Sequence, residues 1–171
     1  ETRVGVVDTA GLPAVLAPLA ALAPGDSIVA VNGVAVHQWG EVVDGIMNGT
    51  TDTVTIAVAG KPEVRLAVHP DAVEERALAA QAIGSWRPPT VGTVNPGGPA
   101  SRAGLKPRDL ILSVDGVPIP QWWDLTAAIE EQVRRGVTLK NEYFLVGALN
   151  ILLEGGAKMR VDQVETWLDT G

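Results

Sequence analysis

Residues that could carry out chemistry are sparse in this sequence of 171 residues. It contains no cysteine, which excludes thiol catalysis, thiolate metal sites and disulfides. Its two histidines, His37 and His69, lack metal-ligand spacing, so we expect them to be surface or strand residues. Asp26 and Asp109 each begin a β-rich run after a Pro-x pair, where a carboxylate typically accepts hydrogen bonds from local backbone N–H groups. The sequence therefore predicts a chain with no catalytic residue and no metal site of its own.

The composition is typical of folded globular domains, with 46% hydrophobic and 19% charged residues. The formal net charge of −7 argues against a nucleic-acid or anionic-lipid surface, which would need a basic stripe. The longest apolar run, Phe144–Leu153, is shorter than the ~18–20 residues that span a bilayer. We therefore expect no nucleic-acid partner and no direct membrane insertion. The start at Glu1 and the abrupt end at Gly171 suggest a piece of a longer protein.

A repeat with an offset of 83 residues organises the chain. The segment Pro24–Trp39 returns without a gap as Pro107–Trp122, and nine of the 23 positions that extend to Ile46 and Ile129 are identical. Such dense matching without a gap indicates two copies of one small module. Trp39 and Trp122 occupy equivalent positions, and we expect both to cover the cores of their modules.

Each copy contains the signals of a β-hairpin followed by a helix. The β-rich runs Ser27–Val31 and Leu110–Val114 end at Asn32-Gly33 and Asp115-Gly116, dipeptides that favour turns with positive φ. Further strands are predicted at Thr53–Val58, Val64–Val68 and Thr90–Val94, and Glu74-Glu75-Arg76 is interpreted as a solvated helix face. The predicted fold class is α+β, with two consecutive small sheet-and-helix modules and a helix-strand tail.

Residues Val91–Gly116 resemble a bacterial PDZ domain, because Pro99-Ala100 and Ala103-Gly104-Leu105 precede the strand and its Asp-Gly turn at the spacing of that family. Arg108 departs from the pattern, which usually has glycine there. The first copy resembles a degenerate PDZ domain, giving expected domains at 1–70 and 71–129. The pair resembles the tandem PDZ domains of site-2 intramembrane zinc metalloproteases of the regulator-of-sigma-E type.

This resemblance implies a non-catalytic tandem that recruits or filters substrates for a membrane-embedded zinc protease, at the extracytoplasmic (periplasmic) face of the inner membrane. The zinc motif of the parent protease is absent, so no cofactor is expected here. An extended peptide would add beside Thr90–Val94, and the loop Ile83–Pro88 would bind its terminal carboxylate through backbone N–H groups. The helix Trp122–Val133 would form the other wall. The implied peptide-binding residues are Ile83, Gly84, Ser85, Trp86, Thr90, Val91, Val94, Leu125 and Ile129.

Two alternatives remain open from the sequence. The loop Ile83–Pro88 could be an ordinary inter-domain connection with its tryptophan packed on a sheet. The PDZ pair could also come from a serine protease of the high-temperature-requirement type.

Residues 130–171 resemble a different family, the C-terminal part of sugar-phosphate nucleotidyltransferases. By that resemblance Glu142 would contact the sugar and Asp169 would ligate a catalytic Mg²⁺, but the nucleotide-binding half is missing and one carboxylate holds Mg²⁺ poorly. The chain is thus interpreted as a chimera with its junction within 127–140, and a fragment of a nucleotide-sugar-forming enzyme is the rival function. A tail strand within Lys158–Trp167 could cover the open edge of the second PDZ domain.

Overall fold

The computed structural model describes residues 1–134 and 159–163. The chain divides into two compact units, residues 1–86 and residues 87–171. Each unit combines small antiparallel sheets with helices, which confirms the predicted α+β class. The first unit extends past residue 70, because the segment 71–86 adds a helix and a strand to it rather than to the second unit.

The first unit begins and ends with strands that pair with each other. Its elements are β1 (Val4–Val7), a 3₁₀ helix (Ala14–Ala21), β2 (Ile28–Val31), β3 (Val34–Ala35), α1 (Trp39–Met47), β4 (Val54–Val58), β5 (Val64–Leu66), α2 (Val73–Gln81) and β6 (Ile83–Ser85). One antiparallel sheet has the order β3-β2-β4-β5, and β1 pairs antiparallel with β6. Alternation of buried residues along β4 and β5 turns one face of the sheet to the core.

The second unit repeats the hairpin and helix of the first. Its described elements are α3 (Pro99–Arg102), β7 (Asp109–Val114), β8 (Val117–Pro118), α4 (Trp122–Arg134) and β9 (Met159–Gln163). The sheet has the order β8-β7-β9 and is antiparallel throughout. Trp39 packs against the core of the first unit and Trp122 against that of the second, as the sequence predicts.

The pairing register shows that the two sheets are built alike. Val31 pairs with Val34, and Val114, 83 residues after Val31, pairs with Val117. Both central strands also carry an irregularity at the same place in their pairing with the next strand. The matched pairs are Ile28 with Val58, Ala30 with Ala57 and Val31 with Ile56 in the first unit, and Ile111 with Val161, Ser113 with Arg160 and Val114 with Met159 in the second. Strand β9, within the expected range Lys158–Trp167, therefore takes the position that β4 has in the first unit.

Backbone conformations at the turns repeat as well. Asn32 and Asp115 have φ values of 51° and 50°. Gly25 has a φ of 96°, and the residue at the matched position of the second unit, Arg108, has a φ of 75°. A side chain is disfavoured in this left-handed region, so the departure from glycine at Arg108 leaves local strain.

Helix α1 approaches β2 closely because of a glycine. A Cβ atom on Gly45 would lie 2.7 Å from Cγ1 of Val31, inside van der Waals contact. The side-chain amide of Asn32 donates to the carbonyl of Gly45 over 2.7 Å, and its oxygen accepts from the N–H of Thr55 over 2.9 Å. The hairpin turn is thereby tied to both α1 and β4.

Helix α2 is anchored by a buried arginine. Arg76 has no exposed surface, so the interpretation of Glu74-Glu75-Arg76 as a solvated face is wrong for this residue. Its guanidinium donates to the carbonyls of Ile46, Thr51, Val68 and His69 at 2.7–3.0 Å. The carbonyl of Ile46 lies near the end of α1, where the helix dipole favours a positive charge.

Candidate functional site

The predicted peptide-binding residues are divided between the two units. Ile83, Gly84, Ser85 and Trp86 belong to the first unit, and Thr90, Val91, Val94, Leu125 and Ile129 to the second. The predicted loop Ile83–Pro88 is divided in the same way. Arg87 already belongs to the second unit, where its carbonyl accepts the N–H of Trp122 over 2.8 Å and its guanidinium lies 5.4 Å from the ring centroid of Trp123.

Ile83–Ser85 forms strand β6 and not a loop. Ile83 pairs with Val7 and is 3% exposed, so it is part of the core of the first unit. The N–H of Trp86 donates to the carbonyl of Arg3 over 2.7 Å, and the Arg3 guanidinium lies 4.1 Å from the centroid of the Trp86 ring. The Trp86 N–H is thus already paired within the first unit, and the carboxylate-binding nest at Gly84–Trp86 stays a prediction.

Thr90–Val94 is an extended segment that pairs along one edge without forming a regular strand. The N–H of Val91 donates to the carbonyl of Asp109 over 2.8 Å, and the N–H of Arg108 donates to the carbonyl of Val91 over 2.7 Å. Thr90 forms an isolated antiparallel bridge with Leu110. Within the described part of the chain the other edge of this segment has no strand beside it.

This segment is the counterpart of β1. The N–H of Val4 donates to the backbone carbonyl of Asp26 over 2.7 Å, and the carbonyl of Val4 accepts from the N–H of Gly25 over 2.8 Å. Val91 makes the same two bonds in the second unit. The sequences also match, because Val4-Gly-Val-Val corresponds to Val91-Gly-Thr-Val. The offset here is 87 residues, so a gapless search at 83 misses the correspondence. In the first unit β6 pairs with the outer edge of β1. This pairing explains why β1 is a regular strand and Thr90–Val94 is not.

Leu125 and Ile129 lie on α4 in the core of the second unit. Leu125 has no exposed surface and Ile129 is 7% exposed, and both belong to the same buried cluster as Val91 and Ile111. Helix α4 packs this side chain in the core of its own unit, and a ligand-facing role for Leu125 stays a prediction. Ile129 contributes at most the rim of a groove.

The carboxylates at the strand starts act as predicted. Asp26 accepts from the N–H of Ala23 and Asp109 from the N–H of Lys106, both over 2.9 Å. The Lys61 ammonium, 2.7 Å from a carboxylate oxygen of Asp26, holds the pKa of Asp26 below its ordinary value of 3.8, and the hydrogen bond from Ala23 adds to this effect against partial desolvation. Each carboxylate stabilises a turn of its own unit.

A carboxylate at the start of each hairpin helix differs between the units. Glu41 accepts hydrogen bonds from the N–H groups of His37 and Gln38, which lower the pKa of its carboxyl. At the matched position Asp124 has a buried oxygen, Oδ2, that has no hydrogen-bond partner among residues 1–134 and 159–163. Proline at 120, where the first unit has His37, removes one of the two donors, and aspartate is one methylene shorter than glutamate.

A cavity of about 630 Å³ lies in the first unit between the β2–β3 hairpin and α1. It is lined on one side by Val34 and Val36 and on the other by Glu41 and Asp44, and none of the predicted site residues contributes to it.

His37 and His69 are exposed, as predicted. Over residues 1–134 and 159–163 no group of three or more histidine, aspartate or glutamate side chains is arranged to hold a metal ion. No helix in those ranges has the length and apolar character needed to cross a membrane.

Comparison with known proteins agrees with part of the sequence analysis. Residues 90–137 match the PDZ domain family. The chain is 31% identical over 140 residues to the regulator of sigma-E protease of Escherichia coli (strain K12). This alignment covers 74% of the chain and 31% of the relative. It is 30% identical over 139 residues to a predicted zinc metalloprotease of Neisseria meningitidis serogroup A, covering 76% of this chain and 31% of the relative.

A regulator of sigma-E protease of Salmonella typhimurium is 27% identical over 142 residues, covering 76% of this chain and 32% of the relative. The chain thus spans about a third of the length of the relatives it matches. Glu142 and Asp169, the site residues implied by the nucleotidyltransferase resemblance, lie outside the described residues, and that resemblance stays a prediction. Residues 90–137 are thus similar to PDZ domains, and about three quarters of the chain is similar to a regulator of sigma-E protease and to a zinc metalloprotease.

Proposed function

We propose that this chain is a protein-binding, non-catalytic region of a membrane-embedded zinc protease, in which it recruits or filters substrates at the periplasmic face of the inner membrane. The PDZ match and the homology to the regulator of sigma-E protease support this assignment. We further propose that the first unit is a second, degenerate PDZ domain. Its matched hairpin register, matched turn conformations and matched aspartate caps support this.

The observation that carries the binding proposal is the outer edge of Val91–Val94. Gly92 and Thr93 are exposed, whereas the matched Gly5, beneath β6, is buried. A strand edge with unpaired backbone groups is the feature to which extended peptides add in PDZ domains. An incoming segment would gain backbone hydrogen bonds along this edge and cover the partly exposed Val94 side chain.

The terminal carboxylate has a smaller role in this proposal than the sequence suggests. The N–H of Trp86 is paired with Arg3, so the sequence-based nest loses one of its donors. We therefore propose that the backbone of an extended segment, internal or terminal, supplies most of the recognition. Since ordering such a segment offsets much of the gain, we expect dissociation constants on the order of micromolar or weaker.

Hydrogen exchange on the whole chain tests this proposal. A valine-terminated extended peptide, prepared as the free acid and as the amide, is added at saturating concentration, and the exchange of amides 92–95 is compared with that of Ile111–Val114. We expect both forms to slow exchange at 92–95 to a similar extent. The binding proposal is wrong if neither form, nor any member of a panel of unrelated extended peptides, slows exchange there.

A further inference from the structure

The two units differ in what covers the matched strand edge. Strand β6 lies along β1 in the first unit, and no described residue lies in the corresponding place beside Val91–Val94. Because the other backbone bonds of the two segments coincide, the first unit shows which kind of strand this edge is shaped to accept. Strand β6 therefore indicates the kind of segment that would pair with the outer edge of Val91–Val94.

Two backbone groups fix the ends of β6. The carbonyl of Arg3 accepts the N–H of Trp86, and the N–H of Asp8 donates to the carbonyl of Ala82, each over 2.7 Å. In the second unit the matched groups are the carbonyl of Thr90 and the N–H of Asn95, and neither has a hydrogen-bond partner among the described residues. The slot between them accommodates a five-residue strand, the length from Ala82 to Trp86.

The orientation of the Thr90 carbonyl follows from its neighbours. Pro89 accepts from the N–H of Ile111, and Val91 donates to the carbonyl of Asp109. In an antiparallel ladder the residue between two such bonds directs its own N–H and C=O to the opposite edge. The carbonyl of Thr90 therefore points to the outer edge, as the carbonyl of Arg3 points to β6.

Side chains along β6 define the sequence of the occupant. Ile83, opposite Val7, is buried, and it is followed by the small residues Gly84 and Ser85. The residue matched to Val7 is Val94, which is partly buried against the core of the second unit. An aliphatic side chain placed opposite Val94 would remove apolar surface from water. A charged side chain there would lose hydration without gaining a partner.

We infer that the outer edge of Val91–Val94 selects an antiparallel extended segment of a protein partner with the pattern aliphatic-small-small, held at its ends by the carbonyl of Thr90 and the N–H of Asn95. This inference rests on the proposed function and narrows it from extended peptides in general to one sequence class and one register.

The test uses a blocked peptide with the sequence of residues 81–87, Gln-Ala-Ile-Gly-Ser-Trp-Arg, and the whole chain. Two altered peptides serve as probes. One has aspartate in place of isoleucine. The other is N-methylated at the backbone nitrogen of tryptophan, which removes the N–H that would donate to the carbonyl of Thr90. We expect each change to weaken binding about tenfold, the equivalent of ~1.4 kcal/mol. Protection should appear at amides 92–95 and not at amides 4–8.

The chain offers a matched pair of variants. Asn95→Pro removes the N–H and should weaken binding about tenfold, whereas Asn95→Ala keeps the N–H and should leave binding unchanged. If Asn95→Pro does not fold, the N-methylated peptide still decides the register.

Equal affinities for all three peptides would overturn the inference. Protection of amides 92–95 in the free chain would also overturn it, whether that protection is constant or rises with chain concentration, because residues of this chain or of a second copy would then occupy the slot. If valine-terminated peptides protect 92–95 and the Ile-Gly-Ser peptide does not, the inference fails and the proposed function stands. If no peptide protects this edge, both fail.

Discussion

Replacing Arg76 by methionine tests whether its guanidinium holds the first unit together. Methionine keeps much of the aliphatic volume and removes all the hydrogen-bond donors, so the effect should come mainly from the carbonyls that lose their partner. Those carbonyls come from four different places along the chain: Ile46, Thr51, Val68 and His69.

The magnitude follows from the burial of these bonds. The bonds to Ile46 and Val68 are buried, and the bonds to Thr51 and His69 are partly buried. An orphaned buried carbonyl costs about 1–3 kcal/mol, whereas a partly buried one can find water. We therefore expect Arg76→Met to lower the free energy of unfolding of the first unit by about 3 kcal/mol.

Urea unfolding followed by tryptophan fluorescence gives the total effect, and hydrogen exchange in β4 and β7 attributes it to a unit. Arg65→Ala is the matched control, because the Arg65 side chain is exposed and forms an ion pair with Glu63. Its effect should stay within about 0.5 kcal/mol. A loss below about 1 kcal/mol for Arg76→Met, or equal losses in both units, would refute the reasoning.

Three further outcomes are expected. Arg108→Gly should stabilise the second unit by about 0.5–1 kcal/mol in urea unfolding, because glycine relieves the left-handed backbone at a small entropic cost, and a destabilised variant would contradict this. Gly45→Ala should destabilise the first unit by about 1–3 kcal/mol, since its Cβ would overlap Val31, whereas Gly40→Ala meets nothing within 4 Å and should be neutral or slightly stabilising. The lowered pKa of Asp26 means that its contribution to stability is complete above its unfolded value of 3.8 and is lost as the pH falls through the lower folded value; Lys61→Met should reduce this loss in acid titrations of stability, and an unchanged pH profile would count against the pairing.

Short-range patterns predicted the fold well where the structure depends on neighbouring residues. The Asn32-Gly33 and Asp115-Gly116 turns form hairpins with positive φ, as their residue types require. The repeat predicted equivalent hairpins, and the two hairpins pair in the same register.

Predictions that depend on distant residues were less successful. Ile83-Gly-Ser has weak strand propensity, and it becomes a strand because Val4–Val7, almost the whole unit away in sequence, offers a partner. Thr90–Val94 has the better strand sequence and lacks regular strand structure because its pairing with the neighbouring strand is confined to a single bridge, Thr90 with Leu110. Arg76 follows two glutamates and is expected at the surface on composition alone, but the carbonyls of Ile46 and Thr51 that bind it come from segments that no local pattern connects to it.

The antiparallel pairing of β1 with β6 also determines how the first unit responds to tension. Val4 pairs with Ser85, so the chain enters and leaves the unit at the same end of this two-stranded ladder. A pull on the two ends would load the hydrogen bonds one after another, beginning at the contact of Arg3 with Trp86, instead of loading all of them together. We expect the unit to unzip at low force. Because the first and last strands of the unit lie side by side, the unit has the geometry of a domain that tolerates insertion into another chain.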